Sequence, residues 1–448
     1  MANSRSISSF VSLATLLLGS ACVGQGELSG PPYEVVVLNR ADSDSDGAAS
    51  DDSNVAAEAP VFELQRQRLE TIEDFDQLSS PAFRIRQGGT LTINVMHGDN
   101  VVAGDFTGGN APDLRYVVED GVAVPRDYAT LLMFSAAYQF ERISAGLRLA
   151  SSPSTRAALD AHGSLETIFA PTTVLHVNGL DAKVQENTNA FFFPGGWQFG
   201  LAQSSPRERA PFAADARIIA HEMGHAVFQL SFFQGANGSC KATDAADNAD
   251  DPWFEGRLEE ELAIGGLNEG FADWMSFAIT GGTNVIESAT VPEDPELAKN
   301  VPERVLTEDN FRWSQILKED GKERGDTRCR GKYCLGTLFA RSLVATYLED
   351  HDASDEDARH EFSVDMVSSL ERAQDAMRNL KLPAPDSKVA HCEYRDDVSS
   401  DADPPVIGVF LEAFLQGVPA DTKASLCRQL IDRFEEGFPS ESRKECAP

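Results

Sequence analysis

The sequence predicts an α+β fold in two lobes, and three observations carry that expectation. Strand-like runs crowd the first half of the chain, and helical periodicities dominate the second. The length of 448 residues suits two or three domains, or one large fold with an appendage. Hydrophobic residues make up 42%, too many for wholesale disorder and enough for a large core.

Residues 1–22 read as an export signal. Arg5 gives a basic start, Phe10–Leu18 is a short apolar run, and Gly19, Ser20 and Ala21 are small enough for a cleavage site. The run is too short to span a bilayer. Cys22 follows directly and resembles a bacterial lipoprotein site, where the cysteine is lipidated and becomes the new N-terminus. Such sites prefer Leu three positions earlier, and here that residue is Gly19. The expected location is the outer membrane or cell surface, or the periplasm or medium if Cys22 is not lipidated. With Cys22 consumed, six cysteines remain, enough for three disulfides in an oxidising compartment, with fifteen pairings open.

Residues 23–60 read as an acidic disordered linker, since no basic residue occurs from Ala41 to Glu58. Residues 61–124 read as a small β-rich lead-in, with strands at Phe83–Arg86 and Thr90–Met96. The main domain spans 125–448, as an N-terminal lobe at about 125–232, an acidic insertion at 235–261 and a helical C-terminal lobe at about 266–448. In the first lobe Tyr128–Leu149 has apolar residues at helical spacing, and Thr172–Val177 is β-branched and reads as a strand. Asn189–Phe193 and Trp197–Phe199 read as a hairpin turned by Pro194-Gly195-Gly196. Helices are expected at Ala213–Leu230, Gly266–Ile279, Gly336–Glu349, His360–Asn379, Ile407–Gln416 and Thr422–Glu436.

Asp plus Glu number 71 against 38 Lys plus Arg, a net charge of −33. That argues against a nucleic-acid partner, which needs basic surface for phosphates. It argues equally against docking on anionic membrane through a basic patch, which leaves Cys22 as the expected membrane link.

His221-Glu222-Met223-Gly224-His225 is an H-E-x-x-H pattern on an expected helix. Residues four apart share a helix face, so both imidazoles can reach one cation. Glu222 projects about 100° away, toward the coordination position left for water. Two neutral imidazoles suit zinc, whose catalytic sites use three protein ligands. Glu269 and Asp273 are again four apart on the next helix, amid Phe271, Trp274, Met275 and Phe277. Glu269 is the expected third ligand. Asp273 is expected to hold the ring nitrogen of His221 that faces away from the metal. The acids between Asp244 and Glu261 could hold Ca2+ through oxygen ligands, but their spacing is not an EF-hand loop and a solvated loop is favoured. His97, His162 and His176 lie away from the metal helices and read as structural or surface residues.

HEMGH followed by NEGFAD resembles the gluzincin metallopeptidases, especially the thermolysin and fungalysin groups, over roughly residues 125–350. The resemblance implies a two-lobe zincin: an N-terminal lobe with a mixed sheet and active-site helix, a helical C-terminal lobe, and a zinc cleft between them. It implies hydrolysis of peptide bonds in proteins or peptides, with Glu222 as general base. Asn189 and Ala190 are similar to the edge strand with which the family binds substrate backbone. The family's transition-state His precedes a Gly that opens a helix. In this chain Tyr333 stands there, before Gly336, and a phenol can donate to an oxyanion. His351, His360 and His391 are the alternatives. A Cys329–Cys334 bridge is expected to hold Tyr333, with pairing of either cysteine to Cys240 as its rival. The competing functions are a non-catalytic zinc-stabilised binding lipoprotein on the same scaffold, and an aminopeptidase.

Overall fold

The computed structural model describes residues 30–40, 62–96, 100–177, 180–184, 190–193, 197–201, 211–232, 254–286, 304–307, 332–379 and 406–434, with Leu28, Arg312, Phe438, Arg443 and Cys446 as isolated positions. In chain order the strands are β1 (Tyr33–Arg40), β2 (Phe62–Leu69), β3 (Phe83–Gln87), β4 (Thr90–Met96), β5 (Asn100–Thr107), β6 (Tyr116–Glu119), β7 (Val122–Pro125), β8 (Leu165–Phe169), β9 (Thr172–Val177), β10 (Leu180–Val184), β11 (Ala190–Phe193), β12 (Gln198–Leu201), β13 (Asn284–Ile286) and β14 (Arg304–Val305). The helices are α1 (Tyr128–Leu149), α2 (Pro153–His162), α3 (Ala216–Phe232), α4 (Phe254–Thr280), α5 (Lys332–Leu348), α6 (Glu356–Asn379), α7 (Val406–Gly417) and α8 (Ala420–Phe434). Among the described residues twelve of the fourteen strands precede α3 and the chain beyond it is mostly helical, the α+β order the sequence predicts.

The N-terminal part holds three four-stranded sheets, ordered β2-β1-β7-β6, β10-β9-β4-β5 and β11-β12-β8-β3. All three are mixed: β1 runs parallel to β7, β4 to β9, and β8 to both β3 and β12, while their other pairs are antiparallel. The strand β1 corrects the expectation of a linker over 23–60. It pairs with β2 along eight residues, and its Val35 and Val37 are fully buried. Alternation of Val35 and Val37 with more exposed neighbours is the half-buried strand pattern, and burying those side chains outweighs the acidic composition around them. Residues 41–61 lie outside the described residues, as do residues 1–27.

α1 carries apolar residues around most of its surface. Leu132, Met133, Phe134, Ala136, Ala137 and Phe140 are all fully buried, as an all-round apolar helix requires. Asp127 caps it, its carboxylate accepting from the Thr130 N–H at 2.8 Å. The same core cluster runs on through α3, α4, α5, α6, α7 and α8, so the later helices build on one apolar interior.

The starts of α4, α5 and α6 depart furthest from the sequence expectation, α6 beginning at Glu356 where His360 is expected. α4 begins at Phe254, so residues 254–261 of the expected acidic loop are helical. Glu and Leu in that stretch are good helix formers, and charge alone does not break a helix. α5 begins at Lys332, so Gly336 lies one turn inside the helix and Tyr333 stands in its first turn. Cys427 and Cys446 are disulfide-bonded, closing a separation of 19 residues behind α8. A loop of that size stabilises by about 3 kcal/mol in the chain-entropy picture. Cys22, Cys240, Cys329 and Cys392 lie outside the described residues, and nothing of the Cys334 side chain is described. Among the described residues no helix is long and apolar enough to cross a membrane.

Candidate metal centre

α3 is held on its apolar side by Ile219, Val227 and Phe228, all fully buried. That packing fixes which face remains for His221 and His225. Their rings lie 4.8 Å apart between centroids at 79°. Gly224, between them, lets α4 approach closely: a Cβ there would sit 2.8 Å from Ala272 Cα. The close crossing brings Glu269 opposite the two histidines.

Glu269 Oε2 lies 3.5 Å from His221 Nε2 and 3.9 Å from His225 Nε2. One ligand atom from each of the three residues falls within 4.8 Å of the others. Donors placed about 2.0–2.2 Å from a tetrahedral zinc ion are roughly 3.4 Å apart, so small side-chain rotations close this set around one ion. The donor chemistry, two imidazoles and one carboxylate, also fits zinc.

The far nitrogens of both imidazoles face oxygens on α4. His221 Nδ1 is 2.8 Å from Asp273 Oδ1. His225 Nδ1 is 2.9 Å from Asn268 Oδ1. Each Nδ1 thus has an oxygen within 2.9 Å, which leaves Nε2 as the nitrogen of each ring that faces the ligand cluster. Asn268 stands in the NEGFAD stretch, yet nothing in helical spacing marks it as the partner of His225.

Arg304, from β14, was missed altogether by sequence reasoning. Its Nη1 lies 3.0 Å from Asp273 Oδ1 and 3.4 Å from Glu269 Oε2. All three side chains are buried, Arg304 at 5% exposure, Glu269 at 9% and Asp273 at 0%. A buried carboxylate pair needs a partner cation, and Arg304 supplies it.

Glu222 is half-buried beside this cluster. Burial is the largest influence on its carboxyl, and with the nearby charge of Glu269 it outweighs His221, Arg304 and the Phe192 backbone N–H of β11, raising the pKa to about 7. The Phe192 hydrogen bond places the carboxylate between α3 and β11, the terminal strand of its sheet.

Ala190 opens β11 and is buried, while Asn189 lies outside the described residues. Tyr333 is placed in the first turn of α5, and its side chain lies outside the described residues. Among the alternatives to it, His351 stacks on Tyr347 at 5.0 Å, His360 is buried in α6, and His391 lies outside the described residues. His162 stacks on Trp197 at 4.2 Å, a structural use that agrees with its reading from sequence. His97 and the acids from Asp244 to Asp251 also lie outside the described residues.

The ionisation of His221 gives a pH prediction. Burial and Arg304 each press its pKa down, but hydrogen bonds to Asp273 and Glu269 and the Asp273 charge win, raising it to about 9. Without a metal the ring is therefore protonated at neutral pH, and zinc must displace that proton. Zinc affinity is expected to rise about tenfold per pH unit toward pH 9, with release of about one proton at pH 7. The stability of the metal-free protein moves the other way. A pKa raised above the unfolded value contributes stability that is complete below about 6.5 and lost as pH rises through about 9. Calorimetric titration in buffers of different ionisation enthalpy measures the proton. No release at pH 7 would show that His221 is neutral before the metal arrives.

No family model matches the chain, and no curated protein matches it. Among solved structures it is similar to the precursor of protealysin, a metalloproteinase from Serratia proteamaculans. The two chains are 9% identical, the match covers 77% of this chain and 87% of that chain, and the TM-score is 0.36.

Proposed function

We propose that this protein is a zinc-dependent metallopeptidase that hydrolyses peptide bonds in proteins or peptides. The observation that carries the reading is the convergence of His221, His225 and Glu269 donor atoms within 4.8 Å, with Glu222 alongside. Zinc held there would supply Lewis-acid polarisation of the scissile carbonyl and a more acidic water. Glu222 takes a proton from the attacking water and delivers it to the leaving amine. Asp273 and Asn268 orient the two imidazoles, and Arg304 balances the charge of Glu269 and Asp273. The strand β11, opening at Ala190 and reaching Glu222 through the Phe192 N–H, is the proposed binding strand for an extended substrate. Tyr333 is the proposed oxyanion donor, carried by the first turn of α5.

The proposal extends to export and to lipidation at Cys22. The short apolar run, the small residues before Cys22 and the Cys427–Cys446 disulfide all suit an oxidising compartment outside the cytoplasm. Mass spectrometry of the mature N-terminal peptide decides that part, since an unmodified peptide beginning elsewhere than Cys22 rejects the anchor.

Purified protein should contain about one zinc per chain and degrade an unfolded protein substrate, with a chelator abolishing the activity and zinc restoring it. Zinc binding without hydrolysis would favour the non-catalytic binding lipoprotein. Release of single N-terminal residues only would favour an aminopeptidase. Full zinc retention in a His225→Ala, Glu269→Gln double variant would reject the metal site itself.

A further inference from the structure

We infer that Gly336 is a positioning residue for Glu269, an inference that rests on the metal-centre reading above. Gly266 and Gly270 are four apart on α4, and the stretch between them contains Asn268 and Glu269. The face bearing the two glycines packs against α5 at Gly336. A Cβ at Gly336 would sit 2.7 Å from the Gly266 carbonyl oxygen, 2.7 Å from the Gly270 nitrogen and 3.0 Å from Glu269 Cβ. A Cβ at Gly270 would in turn sit 2.8 Å from Gly336 Cα. Carbon atoms in ordinary contact are about 3.5–4.0 Å apart, so neither position accepts even a methyl group without moving a helix.

The atoms in the way are mostly backbone, which does not yield as a flexible side chain does. Leu335 presses on the same crossing, its Cδ2 lying 2.7 Å from where a Gly266 Cβ would be. α4 is held on its other side by the crossing at Gly224, where Ala272 and Met275 are equally close. The backbone that carries Glu269 is thus clamped between α3, which carries His221 and His225, and α5. Backing Glu269 Cβ with Gly336 fixes how far its carboxylate reaches toward the histidines. A ligand set must be held to within roughly half an ångström, and one methyl at this crossing displaces it by more.

Gly336→Ala should weaken zinc affinity by roughly 10–100-fold, measured by chelator competition, the range seen when groups that orient a ligand are lost. The cobalt-loaded variant should also show an altered visible absorption spectrum, which reports coordination geometry. Gly417 provides the control for stability alone. It lies in a similarly tight crossing, where a Cβ would meet Ser369 Cα at 2.7 Å, but on the α7–α6 contact. Gly417→Ala should lower the thermal stability of the metal-free protein and leave zinc affinity and the cobalt spectrum as in the wild type. Wild-type affinity in Gly336→Ala, or an equal loss of affinity in Gly417→Ala, overturns the inference. If Gly336→Ala does not fold, Leu335→Ala loosens the same crossing without inserting an atom. A loss of affinity in that variant supports the inference, and wild-type affinity overturns it. Failure of the wild-type protein to bind zinc overturns the metal-centre reading before any glycine variant is compared.

Discussion

Glu222→Gln is expected to keep about one zinc per chain and to lose at least ~10²–10⁴ of hydrolytic rate. The amide has nearly the shape of the carboxylate and can still accept the Phe192 N–H of β11 through its oxygen, so the site keeps its form. What the amide cannot do is take the proton of the attacking water. The metal should stay because the proposed ligands are His221, His225 and Glu269 and do not include Glu222. Burial sets the sign of the accompanying pH effect. The Glu222 pKa is raised to about 7, and a general base is lost when it is protonated, so activity falls on the acid side. A cation at the three ligands favours the carboxylate form and lowers that value, which puts the acid limb of kcat/KM at or below about pH 7. Near-normal hydrolysis by Glu222→Gln, with zinc bound, would reject the mechanism and send the search for the base elsewhere.

Sequence alone made the site legible where spacing carries the chemistry. His221 with His225, and Glu269 with Asp273, are pairs four apart, and a helix turns that spacing directly into a shared face. The sequence also placed α1, β4 and β9 with the boundaries the structure has, α1 by its helical spacing and β9 by its β-branched residues. It failed at β1, whose eight residues are bracketed by polar and acidic sequence, so composition hid a short alternation. It failed also at the start of α4, where a run of acids was read as loop although those residues favour helix. Arg304 could not be read from spacing at all. It lies 31 residues beyond Asp273, and the β13–β14 pairing brings its segment back beside α4. No local pattern marks such a residue, because its partner is chosen by topology and by the need to neutralise buried charge. Gly336 shows the same limit from the packing side. Sequence made it the opening of a helix, and the structure makes it the point where two helices meet.

Arg304→Met should destabilise the metal-free protein by roughly 3–5 kcal/mol, the cost of removing one partner from a buried ion cluster. Methionine has a comparable unbranched stem, so the loss is mainly of charge and hydrogen bonds rather than of volume. Glu269 and Asp273 would then face each other's field with little solvent to screen it, since they are 9% and 0% exposed. The protonated His221 remains beside them, and its Nδ1 stands 2.8 Å from Asp273. Zinc adds two positive charges at Glu269 and should recover part of what the variant loses. Denaturant unfolding with chelator and with saturating zinc measures both numbers, and the gain from zinc should be larger in the variant than in the wild type. Asp273 is not among the proposed ligands, so the recovery should be incomplete. An equal loss with and without zinc would show that Arg304 acts through packing of β14 and not through the charge of the metal centre. A loss below about 1 kcal/mol in the chelated protein would show that Arg304 is not what offsets the buried charge of this cluster.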